Sequence, residues 1–431
     1  MADLARKRNE ELARILHQLG WSPERLSREV NLALPAGLAI SSTAPYKWRD
    51  RGMVPRAPHD QTVCEVLSRT LGIAVTYEQL WGRMGGNRGA KILSPRLLTD
   101  PWTADTAQTA LHEAGTDAGP VRLTDLFRGA ELEQATGHWA SPPPAVTGGE
   151  GALRIAPEQL ADLRRSHDGK RRLERACGGG LVLDPAKAEL AMVGKLLELG
   201  SYGEPLGREL YAAAARLARL VGWANYDMGN DAAAQRAFVA ALRAAHVCGD
   251  PRLGVSVVGC LAVQATQTSG GRGLDAVAML SGALLAAGDV LTPRERALQL
   301  GRIARAYGRK GERSGVEEAA ARAVRALEGE PDSRQERADL DGMVGEGYLF
   351  LDEHERARAL LSGAVGVLGP ARARAKALLM VRLADSYRRT GDRASAARSA
   401  DEARRLAAGM QSARVARALR DFDAAARTGL G

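Results

Sequence analysis

Aromatic residues make up only 4% of this 431-residue chain, which argues against a β-sandwich, whose strands need aromatic and β-branched side chains to pack their faces. The four cysteines, Cys64, Cys177, Cys248 and Cys260, lie 113, 71 and 12 residues apart. That spacing fits neither a zinc motif nor a disulfide framework, so they are expected as buried thiols acting as small apolar groups. The sequence has no HExxH, no GxSxG, no GxGxxG after a strand and no GxxxxGKS or GxxxxGKT phosphate loop, and its seven histidines are dispersed. Neither catalysis nor a metal or cofactor is therefore expected. Residues Met1 to Ala5 lack the apolar core of a signal peptide, and the early apolar run from Leu32 to Ile40 is broken by Pro35 and Gly37. A cytoplasmic protein without a membrane segment is the expectation.

The chain is 45% hydrophobic and 26% charged, as a globular protein would be. Its abundant alanine favours helices packed through small side chains, and the length implies two or three domains. An all-α protein follows. The formal net charge of +9 makes an anionic partner plausible. Much of the surplus sits in residues 370 to 431, which hold 14 basic and 6 acidic side chains; a nucleic-acid patch and a solvated arginine-rich helix face both fit. Glycine-rich "GRMGGNRGAK" follows Trp81-Gly82, and "GHWASPPPAVTGGEGAL" has the composition of an extended linker. These breaks divide the chain into residues 1–82, a linker with connecting helices over 83–185, and 186–431.

The last region repeats. Tyr226, Tyr307, Tyr348 and Tyr387 lie 81, 41 and 39 residues apart, and Gln267 stands where the double gap lacks a tyrosine. Each tyrosine precedes a turn such as "YDMGND" or "YRRTGD", and an alanine follows fifteen or sixteen residues later: Ala241, Ala323, Ala364 and Ala403. A period near 40 with aromatic, turn and small residue in fixed order marks about five stacked helical hairpins of the tetratricopeptide kind, with a HEAT-type solenoid as the alternative.

In the opening block, "NEELARILHQLGW" places Leu12, Ile15, Leu16 and Leu19 on one helical face ending at Gly20. Ser22 caps a second helix with Pro23 at its first position and Leu26 and Val30 inward. Pro45 starts a third through Tyr46-Lys47-Trp48-Arg49-Asp50, closed by Gly52; a fourth spans about His59 to Leu71, and "TYEQLW" gives a short fifth. Such a set of short helices suits a helix-turn-helix domain, with the third helix in the major groove. Its candidate DNA contacts are Ser42, Thr43, Tyr46, Lys47, Arg49 and Arg51, since lysine and arginine neutralise phosphates or bind guanine edges and tyrosine can donate to phosphate. Trp48 is expected in the core. The connector from Asn31 to Ser42 is longer than the usual turn of the motif.

The stretches "LGWSPERLSREVN", "PYKWRDRGMVPR", "VCEVLSRTLGIAVTYEQLWG", "CGGGLVLDPAKAEL" and "LARLVGWANYDMGNDAAAQRAFVAALRAAHVCGDPRLG" resemble actinomycete helix-turn-helix transcriptional regulators with carboxyl-terminal tetratricopeptide repeats, related to negative regulators of sporulation and antibiotic production. The resemblance covers most of the chain and implies promoter binding in the cytoplasm; the long connector is a feature of that group. Where the group carries a lysine and a threonine before the proline, this chain has Thr43 and Ala44. A homodimer joined through the repeats is expected, on double-stranded DNA. The first helices of the hairpins would line an inner surface for a peptide, small-molecule or protein effector, through Asn225, Tyr226, Arg302, Arg305 and Arg382. The alternative is a protein-interaction scaffold with a degenerate helix-turn-helix domain.

Overall fold

Helix starts in the first part of the chain follow the local chemistry of the sequence. Asn9 accepts from the Leu12 amide at 2.9 Å and starts α1 (Glu10–Gln18). Ser22 accepts from the Arg25 amide at 3.2 Å and starts α2 (Pro23–Ala33), with Pro23 where a missing amide costs nothing. Next come α3 (Ala44–Arg51), stopped by Gly52 in the left-handed region at φ 57°, and α4 (His59–Leu71). Their inward residues Leu12, Ile15, Leu26, Val30, Trp48, Val63 and Leu67 form one core. Within the long connector, Asn31 donates to the Ile40 carbonyl at 3.0 Å and accepts from the Ile40 amide at 2.8 Å, so its far end is tied back to α2. The computed structural model describes residues 8–34, 39–55, 59–71, 75, 80–81, 96–116, 126–127, 129–146, 148–268 and 276–428. Of the expected fifth helix, only Leu80 and Trp81 lie among these, and both are helical.

The contacts separate the described residues up to 81 from those from 96 onward as two compact units. The second unit begins with α5 (Arg96–Thr99), α6 (Ala104–Gly115), α7 (Ala130–Ala140), α8 (Pro157–Cys177) and α9 (Gly180–Leu199). Five hairpins follow: α10 (Glu204–Asp227) with α11 (Asp231–Cys248), α12 (Pro251–Thr268) with α13 (Ala276–Ala287), α14 (Pro293–Lys310) with α15 (Arg313–Ala326), α16 (Arg334–Phe350) with α17 (His354–Val367), and α18 (Ala373–Arg389) with α19 (Arg393–Ala407). A last helix, α20 (Ala413–Thr428), packs on α18. The fold is all-α and solenoid-like, as the repeat spacing implied. Among the described residues, no helix is long and apolar enough to cross a membrane.

The repeat residues do the packing expected of them. Ala241, Ala323, Ala364 and Ala403 are each fully buried, so the second helix of each hairpin comes close to its neighbours. The Tyr226 hydroxyl donates to Gln267 Oε1 at 2.8 Å, joining the first repeat to the glutamine that replaces tyrosine in the second. Between α14 and α16 the approach is closer still. A Cβ at Gly308 would stand 2.3 Å from the Gly347 carbonyl oxygen.

The segment expected as a loose linker is in fact docked on the second unit. Its Gly137 to Ala140 complete α7, and Trp139 is buried against Gly254, where a Cβ would stand 1.9 Å from the indole. Gly149–Glu150 and Leu153–Arg154 flank Gly200–Tyr202 in a small three-stranded sheet, antiparallel on one side and parallel on the other. Glycine here serves close approach rather than a flexible tether, because a Cβ at Gly151 would meet the Leu199 carbonyl at 2.0 Å. The glycine triplet Gly178 to Gly180 is likewise spoken for: the Gly179 amide donates to Asp227 Oδ2 at 2.8 Å and the Gly180 amide to the Gln411 carbonyl at 3.0 Å.

Of the cysteines, Cys64, Cys248 and Cys260 are buried and Cys177 is half-buried, all as free thiols. Burial pushes the Cys248 thiol up to about 11, which keeps it neutral and unreactive.

Candidate functional site

Two surfaces carry the candidate residues, one in each unit. On α3, Pro45 and Trp48 turn inward, and Trp48 meets Trp81 edge to face with ring centroids 6.2 Å apart. The helical period then puts Tyr46, Lys47, Asp50 and Arg51 on the outer side. Lys47 and Arg51, one turn apart, are exposed and make no ion pair among the described residues. Ser42 and Thr43 are exposed just ahead of the helix, where the Ser41 and Thr43 hydroxyls lie 3.1 Å apart.

The other two polar side chains are engaged. Arg49 pairs with Asp50 at 2.8 Å and lies over the Tyr46 ring, 5.1 Å from its centroid. The Tyr46 hydroxyl donates to Glu24 on α2. That bond holds the Glu24 carboxyl below its ordinary range and pushes the Tyr46 phenol up. Arg56 lies outside the described residues.

In the second unit, the first helices of all five hairpins, with α8, line a cleft of about 390 Å³. Eight of its lining side chains are arginine and four are carboxylates. Four arginines pair with these carboxylates: Arg374 with Glu174 at 2.6 Å, Arg372 with Asp339 at 2.9 Å, Arg252 with Glu295 at 2.9 Å and Arg294 with Glu336 at 3.5 Å; Arg374 also reaches Asp227 at 3.2 Å and Arg294 reaches Glu330 at 3.3 Å. The remaining four, Arg171, Arg175, Arg219 and Arg302, have no carboxylate within 4.0 Å among the described residues.

These four cations repel one another. Arg219 is the main reason that Arg171 is pushed down to about 9, with burial adding to it. Burial, and then Arg372, lowers Arg175. Arg302 is lowered by burial; its Nη1 donates to Gln299 Oε1 at 3.1 Å, and it lies so close over Gly259 that a Cβ there would stand 1.8 Å from the guanidinium.

One turn before Arg171, the buried His167 is pushed down to about 3, by burial first and then by Arg219 and Arg171. Because its folded value lies below the unfolded 6.5, the unfolded chain takes up a proton that the folded one refuses, and stability falls as the pH drops from 6.5 toward 3. At pH 5 the loss should be about 2 kcal/mol. Urea melts at pH 7 and pH 5 check this: His167→Gln should remove most of the difference between the two, and an unchanged difference would contradict it.

The five residues expected to face an effector do not form one site. Arg302 alone lines the large cleft. Arg305 and Arg382 both reach Glu346, each at 3.1 Å. Burial alone would raise the Glu346 carboxyl, but these two guanidiniums hold it below the usual range. Asn225 and Tyr226 are each 3% exposed, which takes them off the inner surface. The Asn225 amide donates to the Val221 carbonyl at 3.0 Å and accepts from Asn230 at 3.3 Å, fixing the turn into α11. The Tyr226 ring is covered by Arg414, 4.6 Å from its centroid. The reason is position: α10 is packed by α8, α9, α11 and α12 together, so it is buried nearly all round. Arg171, Arg175 and Arg219 were missed, although "RRSHDGKRRLERAC" spaces Arg171 and Arg175 four apart on one helical face.

Comparison with known proteins gives a match for the first unit. Residues 12–81 match the family model of the SP15 N-terminal domain. No curated protein matches the chain. Among solved structures, the crystal structure of BtubC (BKLC) from P. vanneervenii is similar at a TM-score of 0.34 and 18% identity, over 58% of this chain and 90% of that one. Likeness at that level says nothing about function.

Proposed function

We propose that this protein is a sequence-specific DNA-binding regulator of transcription in the cytoplasm, whose first unit lays α3 in the major groove and whose repeat unit pairs two subunits and senses an effector. The outer face of α3 carries the proposal. Lys47 and Arg51 stand one turn apart without a carboxylate partner among the described residues, on a helix anchored from behind by Pro45 and Trp48. Cations so placed suit phosphates and guanine edges, while Ser42 and Thr43 at the helix start suit phosphate oxygens. One such domain touches few base pairs, so two copies on half-sites about one helical turn apart would supply the missing affinity. The match of residues 12–81 to the SP15 N-terminal domain supports a distinct amino-terminal module.

Tyr46 bound to Glu24 and Arg49 bound to Asp50 favour a second reading, in which the same face docks a protein and the chain is a scaffold. Fluorescence anisotropy on a duplex from the protein's own promoter region, with competitor DNA present, separates the two. Lys47→Ala and Arg51→Ala should each weaken binding. Loss of a phosphate contact should lower the salt slope by about one unit, and loss of a guanine contact should cost about 1 to 3 kcal/mol at one base pair. Arg49→Ala should do less than either, because Arg49 is already held by Asp50. Wild-type affinity in both the Lys47 and Arg51 variants would favour the scaffold.

A further inference from the structure

We propose that the cleft of the repeat unit binds a small organic diphosphate, gripped by Arg171, Arg175, Arg219 and Arg302. This deepens the sensing half of the proposed function and rests on that reading of the repeats; the DNA-binding half is independent of it.

Charge is the first ground. Eight arginines and four carboxylates line the cleft; these carboxylates, with Asp227 and Glu330, engage four of the arginines, and the other four guanidiniums have no carboxylate within 4.0 Å among the described residues. A protein interior that crowds like charges destabilises itself unless something neutralises them. Four unpartnered guanidiniums suit a ligand with about three negative charges, which two linked phosphates carry at neutral pH and one carboxylate or orthophosphate does not. Arginine forks also match phosphate oxygens in pairs.

Position is the second ground. Arg171 and Arg175 come from α8, Arg219 from α10 and Arg302 from α14, so the guanidiniums approach from different helices. The Arg219 Nε is buried and has no hydrogen-bond partner among the described residues, a donor left for a ligand. His167 beside them is held neutral, so it adds no charge to the cluster at neutral pH.

Shape is the third. A volume of about 390 Å³ falls in the usual range for small-ligand sites and is far too small for a duplex. Leu220, Trp223, Val255, Leu298 and Met343 give the same cleft an apolar wall, which calls for an organic body attached to the anionic head.

Isothermal titration calorimetry on the full-length protein, without DNA, tests this with inorganic pyrophosphate, a nucleoside diphosphate, orthophosphate and an acidic peptide as probes. Pyrophosphate should bind at least tenfold more tightly than orthophosphate. The nucleoside diphosphate should bind at least as tightly as pyrophosphate; a gain assigns the organic body to the apolar wall, and equality assigns the grip to the diphosphate alone. Arg171→Gln and Arg219→Gln should each weaken pyrophosphate binding at least tenfold, while Arg404→Gln on α19, outside the cleft, should leave it within twofold. Thermal melting gives a second readout. Removing one of several mutually repelling cations should leave the Tm of the free protein unchanged or raised, yet abolish the rise in Tm that pyrophosphate gives the wild type. The proposal is overturned if no phosphate probe binds, if orthophosphate binds as well as pyrophosphate, if the acidic peptide alone binds, or if Arg171→Gln and Arg219→Gln bind pyrophosphate like the wild type. Because no DNA is present, such a failure leaves the DNA-binding proposal standing, to be judged by its own assay.

Discussion

Alanine at Asp227 should destabilise the repeat unit by about 3 to 5 kcal/mol, the usual effect of removing one partner from a buried ionic cluster. Asp227 is fully buried at the end of α10. One carboxylate oxygen accepts from the Gly179 amide at 2.8 Å; the other accepts from Ser412 Oγ at 2.9 Å and Arg374 Nη1 at 3.2 Å. A single side chain thus ties the boundary of α8 and α9 to the lead-in of α20 and to α18, segments up to 185 residues away in sequence. Without it the Gly179 amide is stranded, and Arg374 keeps only Glu174 as a carboxylate partner. For a unit of this size the loss should lower Tm by on the order of 10 °C. Asp227→Asn keeps the shape and one acceptor, so it should fall between. Differential scanning calorimetry decides; a Tm for Asp227→Ala within 2 °C of wild type would show that the latch carries no stability.

Trp48→Ala should have a comparable effect on the first unit, about 3 to 5 kcal/mol, for a different reason. Trp48 is 6% exposed and packs edge to face on Trp81 within a core otherwise made mostly of leucine, isoleucine and valine. Truncation leaves a cavity that these shorter side chains cannot fill. A unit this small has little stability to spare, so the amino-terminal transition should move to much lower temperature, or vanish, while the repeat transition stays. DNA binding should fail in this variant through unfolding, whereas Lys47→Ala fails with the helix content intact. Far-ultraviolet circular dichroism alongside the binding assay separates the two causes, and a Trp48→Ala protein with a wild-type melt would contradict the placement of Trp48.

What could be read in advance was what lies close together in the chain. Ser22 and Pro23 start α2, and Gly52 stops α3, through bonds and dihedrals set within a few residues. The tyrosine and alanine repeats were legible because each hairpin packs mainly on its neighbours, so the period survives in the sequence. The cleft was not legible: its unpaired arginines come from positions 171, 175, 219 and 302, and their lack of partners depends on where Glu174, Glu295, Glu336 and Asp339 turn. Local context misled at Asn225. An amide between Trp223 and Tyr226 looks like a recognition patch, yet Asn225 and Tyr226 are buried where α10 turns into α11, and of the three only Trp223 lines the cleft. Among the carboxyl-terminal arginines, Arg388, Arg389, Arg404 and Arg405 pair with nearby acids.

The central claim, that α3 reads DNA sequence, is tested most directly by selecting binders from a pool of random duplexes with the full-length protein at physiological salt and sequencing them over successive rounds. The account predicts enrichment of one motif arranged as two half-sites about one helical turn apart, and its loss in parallel selections with the Lys47→Ala, Arg51→Ala double variant. A pool that stays random with the wild-type protein, or the same motif enriched by the double variant, would contradict it.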